Sequence, residues 1–372
     1  MSLPGNRATW QEAETRVQDV FPQVRRYLTA LLDDYCGHHD SLRSAVQALI
    51  AGGRETPHEF SLPLLVHAAV NGEPEPAVPV AGVHALWWRS ANVLDDFVDG
   101  DVEQLPLRGV DRGVAMMAAL EAGYALPLRA LEAAPLPVPL RRRLTADYLD
   151  GWTRATDGQI GDILNRPQDV GTDEVLEVYR KKSASIYEMA CLMAARLAHG
   201  TRGDRPYAHT PPRCQGRAEP YADGALLEGT EEQSIAAWGE FGHILGLLAQ
   251  FRNDHDDLCG GPGEDLRNGT ATYLLVHLLR TAPVADRERA LALLDQAATV
   301  ESKRRELADM MRAPEVVRPY NRFLAELSGR AYTLLDTLAP ASPFADCLRA
   351  RVDAETMLLE PTRPPALAGR AG

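Results

Sequence analysis

The chain of 372 residues is long enough to bury a large core, as one big domain or as two. Its formal net charge is −13 at pH 7 and it has no basic stripe or dense run of Lys and Arg, which argues against a nucleic-acid partner. An acidic protein can still take an anionic substrate where metal ions invert the local field.

The five cysteines are scattered and form no CxxC pair, so the sequence indicates neither a zinc site nor a disulfide framework. The first ten residues contain no apolar signal core, and no segment stands out as long enough to span a bilayer. We therefore expect a cytoplasmic protein without a transmembrane segment.

Apolar residues recur at steps of three and four almost throughout the chain, which predicts helices. One further helix should follow a proline-rich linker at residues 74–79 and reach the acidic stretch near residue 99. No alternating pattern indicates a strand, so we expect an all-α fold, a single large bundle of mostly buried helices. The other predicted helices cover residues 11–32, 40–50, 62–70, 110–131, 140–160, 175–197, 235–258, 271–279, 284–298, 301–311, 319–338 and 345–359.

The domain boundaries follow from composition. Residues 1–360 should form one helical domain, interrupted at 200–229 by a loop insertion rich in Pro, Gly and charged residues without apolar periodicity. The proline-rich end, residues 361–372, should be a disordered tail.

A first acidic cluster, Asp95-Asp96-x-x-Asp99, lies within apolar sequence. On a helix, Asp95 and Asp99 share one face and Asp96 lies beside them. Three carboxylates this close repel one another, and an apolar setting raises that cost. All-oxygen ligands suit Mg²⁺, which completes its coordination with substrate phosphate oxygens. The alternative is a solvated acidic helix end that Gly100 terminates.

A second polar cluster, Asn253-Asp254-x-x-Asp257, closes the predicted helix over residues 235–258. It repeats the geometry of the first cluster, with an amide in place of one carboxylate. Two oxygen-rich helix ends of this kind are suited to hold one diphosphate between them through Mg²⁺ ions.

At this point the sequence resembles the isoprenyl diphosphate synthase superfamily, the trans-polyprenyl synthetases and their terpene-cyclase relatives. The resemblance covers roughly residues 40–355. Each motif alone is a weak indication of the family, but five motifs in the right order are a strong one. It implies the isoprenoid synthase type of bundle, with the active site in a central cavity. The matching segments are Asp95-Asp96-x-x-Asp99, Gly158-Gln159-x-x-Asp162, Lys182-Ser183-Ala184, Phe241-Gly242 through Gln250-Phe251-Arg252-Asn253-Asp254-x-x-Asp257, and Asp265-Leu266 with Asn268-Gly269 and Thr272.

The resemblance also implies roles for individual residues. Three Mg²⁺ ions would be held by Asp95, Asp96 and Asp99 and by Asn253, Asp254 and Asp257, and these six are the expected catalytic residues. Lys182 and Arg252 would pair with the oxygens of a prenyl diphosphate substrate. The remaining candidates for substrate binding are Gln159, Asp162, Gln250, Trp88 and Arg54. Asp162 has an ordinary alternative as the ion-pair partner of a lysine, and Trp88 has one as plain core.

Several cations with which the family binds isopentenyl diphosphate are missing here. The family's Gly-Gly-Lys-Arg becomes Gly52-Gly53-Arg54-Glu55, its His seven residues before the first Asp is Trp88, and a later Lys is Thr270. The family's Arg-Arg pair has only Arg108 and Arg112 as nearby counterparts. Since a second diphosphate would be poorly paired, the leading expectation is a class I terpene synthase that ionises and cyclises a linear prenyl diphosphate.

Two alternatives remain open. One is a prenyltransferase that joins the allylic cation to isopentenyl diphosphate or another acceptor, with Arg54, Arg89, Arg108 and Arg112 rebuilding the anion site. The other is a non-catalytic regulatory subunit of a prenyl synthase. Family members are commonly dimeric, which leaves a homodimer open, with the apolar residues 110–131 as a candidate interface.

Overall fold

The computed structural model describes residues 4–52, 58–99, 110–200, 231–260 and 263–361, apart from the side chains at 4–8, 52, 58–59 and 99. Every regular element in these residues is helical, which confirms the predicted all-α fold. Apart from residues 200 and 361, the expected insertion at 200–229 and the expected tail at 361–372 lie outside the described residues.

The chain divides into two compact units. The first unit contains Met1–Trp152, Tyr187–Gly242 and Thr333–Arg349, and the second contains Thr153–Ile186, His243–Tyr332 and Ala350–Gly372. The boundaries fall within helices, so several helices contribute residues to both units. The expectation of one domain over residues 1–360 stays a prediction, and each unit is described by itself.

Seven helices of the first unit come before the first boundary. They are α1 (Pro4–Gln18), α2 (Phe21–Cys36), α3 (Asp40–Gly52), α4 (His58–Asn71), α5 (Val78–Asp99), α6 (Arg112–Leu120) and α7 (Leu126–Ala133). The remaining helices are α8 (Val138–Leu164), α9 (Thr172–Tyr179), α10 (Ser185–Gly200), α11 (Glu231–Cys259), α12 (Glu264–Asn268), α13 (Tyr273–Thr281), α14 (Val284–Ala297), α15 (Glu301–Met311), α16 (Pro314–Leu338) and α17 (Pro343–Glu355).

Helix α5 is the central helix of the first unit. It packs against α2, α4, α6 and α7, and its Val83, Leu86 and Trp87 are buried. Burying one such large apolar side chain contributes about 1.5–3 kcal/mol, so this packing fixes the helix. Its last turn, which carries the first acidic cluster, is thereby held at a defined place in the unit.

The predicted helix over residues 11–32 is two helices, with a turn at Asp19 and Val20. Pro22 accounts for the break, because proline has no N–H to donate to the carbonyl four residues earlier, and here it lies in the first turn of α2, where that N–H is not needed. The Val20 N–H instead donates to the Val17 carbonyl at 3.1 Å, which closes the turn. The apolar periodicity was correct for both helices but concealed the break.

Residues 110–131 were expected to form a largely buried helix that Pro127 kinks or ends early. Residues 112–133 are helical, but the expectation that the helix is largely buried is wrong. The helix is continuous only through a π-helical segment, Glu121–Ala125, between α6 and α7. Pro127 cannot donate to the Gly123 carbonyl, which accepts a hydrogen bond from the buried Tyr148 hydroxyl instead. Several large apolar side chains on this stretch are exposed, namely Val114, Met116, Met117, Leu120 and Tyr124.

The same stretch bears on the expectation of no transmembrane segment. By length and composition alone, Arg112–Ala133 is apolar enough to cross a membrane, and half of its apolar window is buried inside the protein. Core helices of soluble proteins have the same character, so this single stretch is weak support for a membrane span.

An aromatic core organises the second unit. The Phe251 ring lies edge-on to the rings of four neighbours, with centroid distances of 5.4–5.8 Å. Helix α13 packs against α9, α14 and α15 around this core. The unit therefore holds the end of α9 and the middle of α11 firmly in place. The four neighbours of Phe251 are Tyr179, Tyr273, Tyr320 and Phe323.

Candidate active site

The first acidic cluster lies in the last turn of α5. Asp95 and Asp96 are half-buried there, and the last turn contains no basic residue. Carboxylates at a helix C-terminus meet the negative end of the helix dipole, which costs about 0.3–1 kcal/mol each at exposed sites. An added cation would remove this cost, so the position fits a divalent metal ion. Asp99 ends the helix, and its side chain is outside the described residues.

Arg112 brings a cation to the same helix end. Its guanidinium donates to the Phe97 carbonyl at 3.5 Å and lies 5.1 Å from the centre of the Phe97 ring. Phe97 lies between Asp96 and Asp99 in the sequence. The fold of the first unit thus places one of the sequence's candidate anion-binding arginines beside the first cluster. Arg54 and Arg108 lie outside the described residues.

Trp88 belongs to an aromatic group in the first unit. Its ring is stacked on His84 with centroids 6.2 Å apart and meets the edge of Tyr187 at 5.8 Å. Trp88 remains half-buried, whereas Trp87 is only 7% exposed and is ordinary core. The plain-core interpretation therefore suits Trp87, and Trp88 keeps a partly open face.

In the second unit, Asp254 is held at both carboxylate oxygens. The Tyr179 hydroxyl donates to Oδ2, and the Gln250 side-chain amide donates to Oδ1 at 2.8 Å. The Ser183 hydroxyl in turn donates to the Gln250 carbonyl oxygen. Burial raises the pKa of Asp254, while these donors and Lys182 oppose the rise. Gln250, expected to touch substrate, is thus engaged with Asp254.

Asp257 serves the loop that follows α11. Its two oxygens accept from the backbone N–H groups of Glu264 and Asp265 at 2.9 and 3.1 Å, which supplies the cap that Gly263 cannot give to α12. Each oxygen keeps a second lone pair, but the capping role already explains this carboxylate. Asn253 is exposed.

Asp265 joins the cluster although the sequence did not single it out as a site residue. Burial raises the pKa of its carboxyl, and the charges of Asp254, Asp257 and Asp162 raise it further. Its place in the resembling Asp265-Leu266 segment was the available signal. Arg252 is held elsewhere, because its guanidinium pairs with Glu355 at 3.4 Å and with Asp256 at 3.5 Å.

Lys182 lies in a π-helical segment, Arg180–Ala184, where the sequence predicted an unbroken helix. Its Nζ lies 2.7 Å from Asp162 Oδ2, in a pair whose side chains are 22% and 18% exposed. Gly158 permits the close approach of α8 to this π-helical segment, because a Cβ at this glycine would lie 2.2 Å from the backbone nitrogen of Lys182. The pairing of Asp162 with a lysine is thus present, and Gln159 lies half-buried nearby in the sequence.

The donors of both clusters are carboxylate oxygens, which suit Mg²⁺. In the second unit the carboxyl groups of Asp162, Asp254, Asp257 and Asp265 lie close together beside Lys182, so added positive charge would be favourable there. Over the described part of the chain, no three His, Cys, Asp or Glu side chains already form a closed metal-binding group. The residues fit ions whose coordination is completed by a ligand.

Comparison with known proteins agrees with this geometry. No family model matches the sequence. The chain is 28% identical over 265 residues to the short chain isoprenyl diphosphate synthase of Methanothermobacter thermautotrophicus, which covers 68% of this chain and 71% of that protein. It is 26% identical over 296 residues to the geranylgeranyl diphosphate synthase of Mycobacterium tuberculosis, which covers 75% and 74%.

Solved structures agree on the fold. The geranylgeranyl pyrophosphate synthetase of Pyrococcus horikoshii has a TM-score of 0.72 at 19% identity, covering 93% of this chain and 98% of that one. A polyprenyl synthetase from Streptomyces coelicolor has a TM-score of 0.71, also at 19% identity, covering 94% and 99%.

These relatives overturn the leading expectation from the sequence. Both curated relatives are prenyl diphosphate synthases by name, and the findings support the prenyltransferase alternative over cyclisation without an acceptor. The loss of local cationic motifs had favoured the cyclase, but Arg112 shows that a cation can reach the first cluster from outside a motif. The ordered motifs, the all-helical fold and these relatives thus make the chain similar to members of the isoprenyl diphosphate synthase superfamily.

Proposed function

We propose that this protein is a metal-dependent prenyltransferase that joins an allylic prenyl diphosphate to isopentenyl diphosphate. The observation that carries the proposal is the similarity over 265 residues to a short chain isoprenyl diphosphate synthase. Both acidic clusters lie within the part of the chain that resembles this family. The cytoplasmic location expected from the sequence remains a prediction.

Ionisation of the allylic diphosphate is the first chemical step of the proposed reaction. Asp95, Asp96 and Asp99 would hold metal ions from one helix end, and Asp254 would hold one from α11. Bound Mg²⁺ would neutralise the diphosphate and stabilise it as a leaving group. Asn253 and Asp257 are weaker ligand candidates, because one is exposed and the other caps α12.

Lys182 is the protein's own cation for the departing diphosphate. Asp162 holds the ammonium group at 2.7 Å, which orients it, and a lysine ammonium group can pair with phosphate oxygens as a point charge. Arg252 is removed from this role, because Glu355 and Asp256 already pair with it. The half-buried Trp88 and the neighbouring Tyr187 give the first unit an aromatic surface that would exclude water from a carbocation.

Binding of isopentenyl diphosphate needs cations that the sequence motifs lack. Arg112 lies against Phe97 at the end of α5, and Arg89 is a buried arginine of the same helix, 6% exposed. We assign Arg112 to the acceptor diphosphate, since it is exposed and next to the first cluster. Arg54 and Arg108 remain candidates from the sequence.

A second copy of the chain is the partner that we propose for the exposed apolar face of α6 and the following π-helical segment. Val114, Met117, Leu120 and Tyr124 recur at steps of three and four and are 42–55% exposed. The chain's resemblance to a commonly dimeric family supports this assignment. Met117→Glu is expected to shift the mass measured by light scattering from dimer to monomer, whereas a monomeric wild-type protein would contradict the assignment.

Product analysis tests the proposed function. Purified protein is incubated with Mg²⁺ and geranyl, farnesyl or geranylgeranyl diphosphate, each with and without isopentenyl diphosphate. Longer prenyl diphosphates are expected only when isopentenyl diphosphate is present. Hydrocarbon and free diphosphate released from an allylic substrate alone would contradict the proposal. Arg112→Gln should raise the KM for isopentenyl diphosphate and leave the KM for the allylic substrate unchanged.

A further inference from the structure

A single buried hydroxyl joins three helices of the second unit. Tyr179 is the last residue of α9 and is 3% exposed. Its hydroxyl donates to Oδ2 of Asp254 on α11 and accepts the backbone N–H of Tyr273 at 3.0 Å. One atom thus links α9, α11 and the start of α13. No motif of the sequence had marked Tyr179.

The donor direction of this hydroxyl is fixed by its surroundings. Tyr273 is the first residue of α13, so its N–H has no acceptor within the helix and must find one elsewhere. Because the Tyr179 oxygen accepts that N–H, its own proton is directed at Asp254.

The ring of Tyr179 cannot easily move away. It packs edge-on against Phe251 with centroids 5.4 Å apart, and Phe251 is the centre of the aromatic core. Asp254 is also held at Oδ1 by Gln250, which Ser183 orients. The carboxylate plane of Asp254 is therefore fixed at both oxygens, while each oxygen retains a lone pair for a cation.

The same segment carries Lys182, three residues after Tyr179. The intervening π-helical turn, Arg180–Ala184, directs Lys182 to Asp162 and Ser183 to Gln250. A π-helical turn inside a helix often occurs at a functional site, because it redirects neighbouring side chains. A shift of this segment would move the lysine and the support of Asp254 together.

We propose that Tyr179 is a positioning residue that orients the Asp254 carboxylate for a divalent metal ion bound with the substrate diphosphate. The assignment rests on the proposed function, since it takes Asp254 as a metal ligand. Removing such a supporting hydrogen bond typically lowers metal affinity or activity about 10- to 100-fold. Tyr179 itself touches neither metal nor substrate in this role.

Tyr179→Phe tests the proposal, with Tyr320→Phe as the matched control. Tyr320 is also buried in the aromatic core, but its hydroxyl lies 3.5 Å from the Phe251 carbonyl instead of donating to a carboxylate. Binding of inorganic diphosphate is measured by calorimetry on the full chain at a series of Mg²⁺ concentrations, and the melting temperature is recorded for each variant. Tyr179→Phe is expected to raise the Mg²⁺ concentration needed for half-maximal binding about 10- to 100-fold, and Tyr320→Phe to leave it unchanged.

Equal Mg²⁺ dependence in the two variants would overturn the proposal and leave Tyr179 a structural residue. If Tyr179→Phe yields no folded protein, 4-aminophenylalanine and 4-methylphenylalanine at this position are compared, since they match in size and only the first can donate. Wild-type protein that binds diphosphate with Mg²⁺ but elongates no substrate would overturn the proposed function alone. Diphosphate binding that does not depend on Mg²⁺ would overturn both the role of Tyr179 and the proposed function.

Discussion

Asp95 and Asp96 lie in the last turn of a helix in the first unit, whereas Asp254 and Asp257 accept hydrogen bonds from neighbouring groups in the second unit. The first pair is half-buried at the unfavourable end of the α5 dipole. The second pair is held by a tyrosine hydroxyl, a glutamine amide and two backbone N–H groups.

The difference teaches that two similar acidic motifs can affect the stability of the folded protein in different ways. In the first unit the carboxylates lie at the negative end of a helix dipole, which a bound cation would offset. In the second unit the fold has already placed them, and Asp257 contributes to the local structure itself. Substitutions at the two clusters should therefore separate activity from stability.

The largest expected effect is that of Asp95→Ala on turnover. A metal ion stabilises transition-state charge by several kcal/mol, so losing one of its ligands should lower kcat/KM about 1,000-fold or more. The melting temperature should change little by comparison, because the carboxylate is removed from the negative end of a helix dipole. Steady-state kinetics and calorimetry measure both, and Asp34→Ala at an exposed position of α2 is the matched control. A loss of stability without a loss of turnover would show that Asp95 has a structural role and would contradict the prediction.

A double-mutant cycle at Lys182 and Asp162 should give the next largest effect. Lys182→Met is expected to raise the KM for the allylic diphosphate about 10- to 100-fold, because a charge-assisted hydrogen bond to phosphate is lost. Asp162→Asn should have a smaller effect, since the ammonium group remains.

The double variant decides the role of the ion pair. If Lys182 binds substrate, then Asp162→Asn cannot restore what Lys182→Met has lost. If the lysine only neutralises Asp162, then the double variant should recover substrate binding, because the uncompensated buried charge is gone.

Asp257→Ala should affect stability more than Asp96→Ala does. Loss of a capping carboxylate costs about 1 kcal/mol, and the N–H groups of Glu264 and Asp265 would lose their acceptor. Asp96→Ala should cost less, because the Asp96 carboxylate lies at the negative end of the α5 dipole. Urea unfolding of both variants without Mg²⁺ measures the two effects, and equal destabilisation would show that both clusters are structural.

The smallest expected effect is a pH dependence of folding stability that arises from His67, a residue of the first unit outside its acidic cluster. Burial lowers the pKa of His67, whose Nδ1 lies 2.6 Å from the Glu73 carbonyl and whose Nε2 lies 3.3 Å from the Asn71 amide. The neutral ring donates to the carbonyl and accepts from the amide, and protonation removes the acceptor.

The sign of this dependence follows from the lowered pKa. Below the ordinary value of 6.5 the unfolded chain binds a proton that the folded chain resists, so stability is lost as the pH falls. Unfolding curves between pH 7.5 and about 5 should show this loss in the wild type and a smaller one in His67→Gln. Exposed His39→Gln is the control, and an unchanged slope in His67→Gln would contradict the assignment.

Much of the fold was predictable because helical periodicity is a local property. The apolar steps predicted nearly every helix, and both acidic motifs were expected at helix ends, where α5 and α11 close. The break at Pro22 was missed, and at Pro127 the sequence indicated a kink or an early end but not the π-helical segment before it. Each depends on how a missing proline N–H is compensated, by a turn in one case and by the distant Tyr148 hydroxyl in the other.

The candidate site was only partly predictable. Lys182, Asp162 and Asp254 were named from motifs, and the second unit does bring them into one cluster. Arg252 was named for the same reason, but residues two apart on a helix do not face each other, so its guanidinium points to Glu355 and Asp256. Tyr179 escaped notice because it is 75 residues from Asp254 in the sequence.

The sequence by itself determined the helical class, the resemblance to isoprenyl diphosphate synthases and the oxygen-donor chemistry of the two acidic clusters, since periodicity and motif order depend on neighbouring residues. Tertiary structure decided what each charge does. It set Arg112 against the end of α5, closed Lys182 onto Asp162 and gave Asp254 its two donors. A hydrogen bond or an ion pair acts only over a few ångströms, and the fold alone brings residues that are distant in the chain within that range.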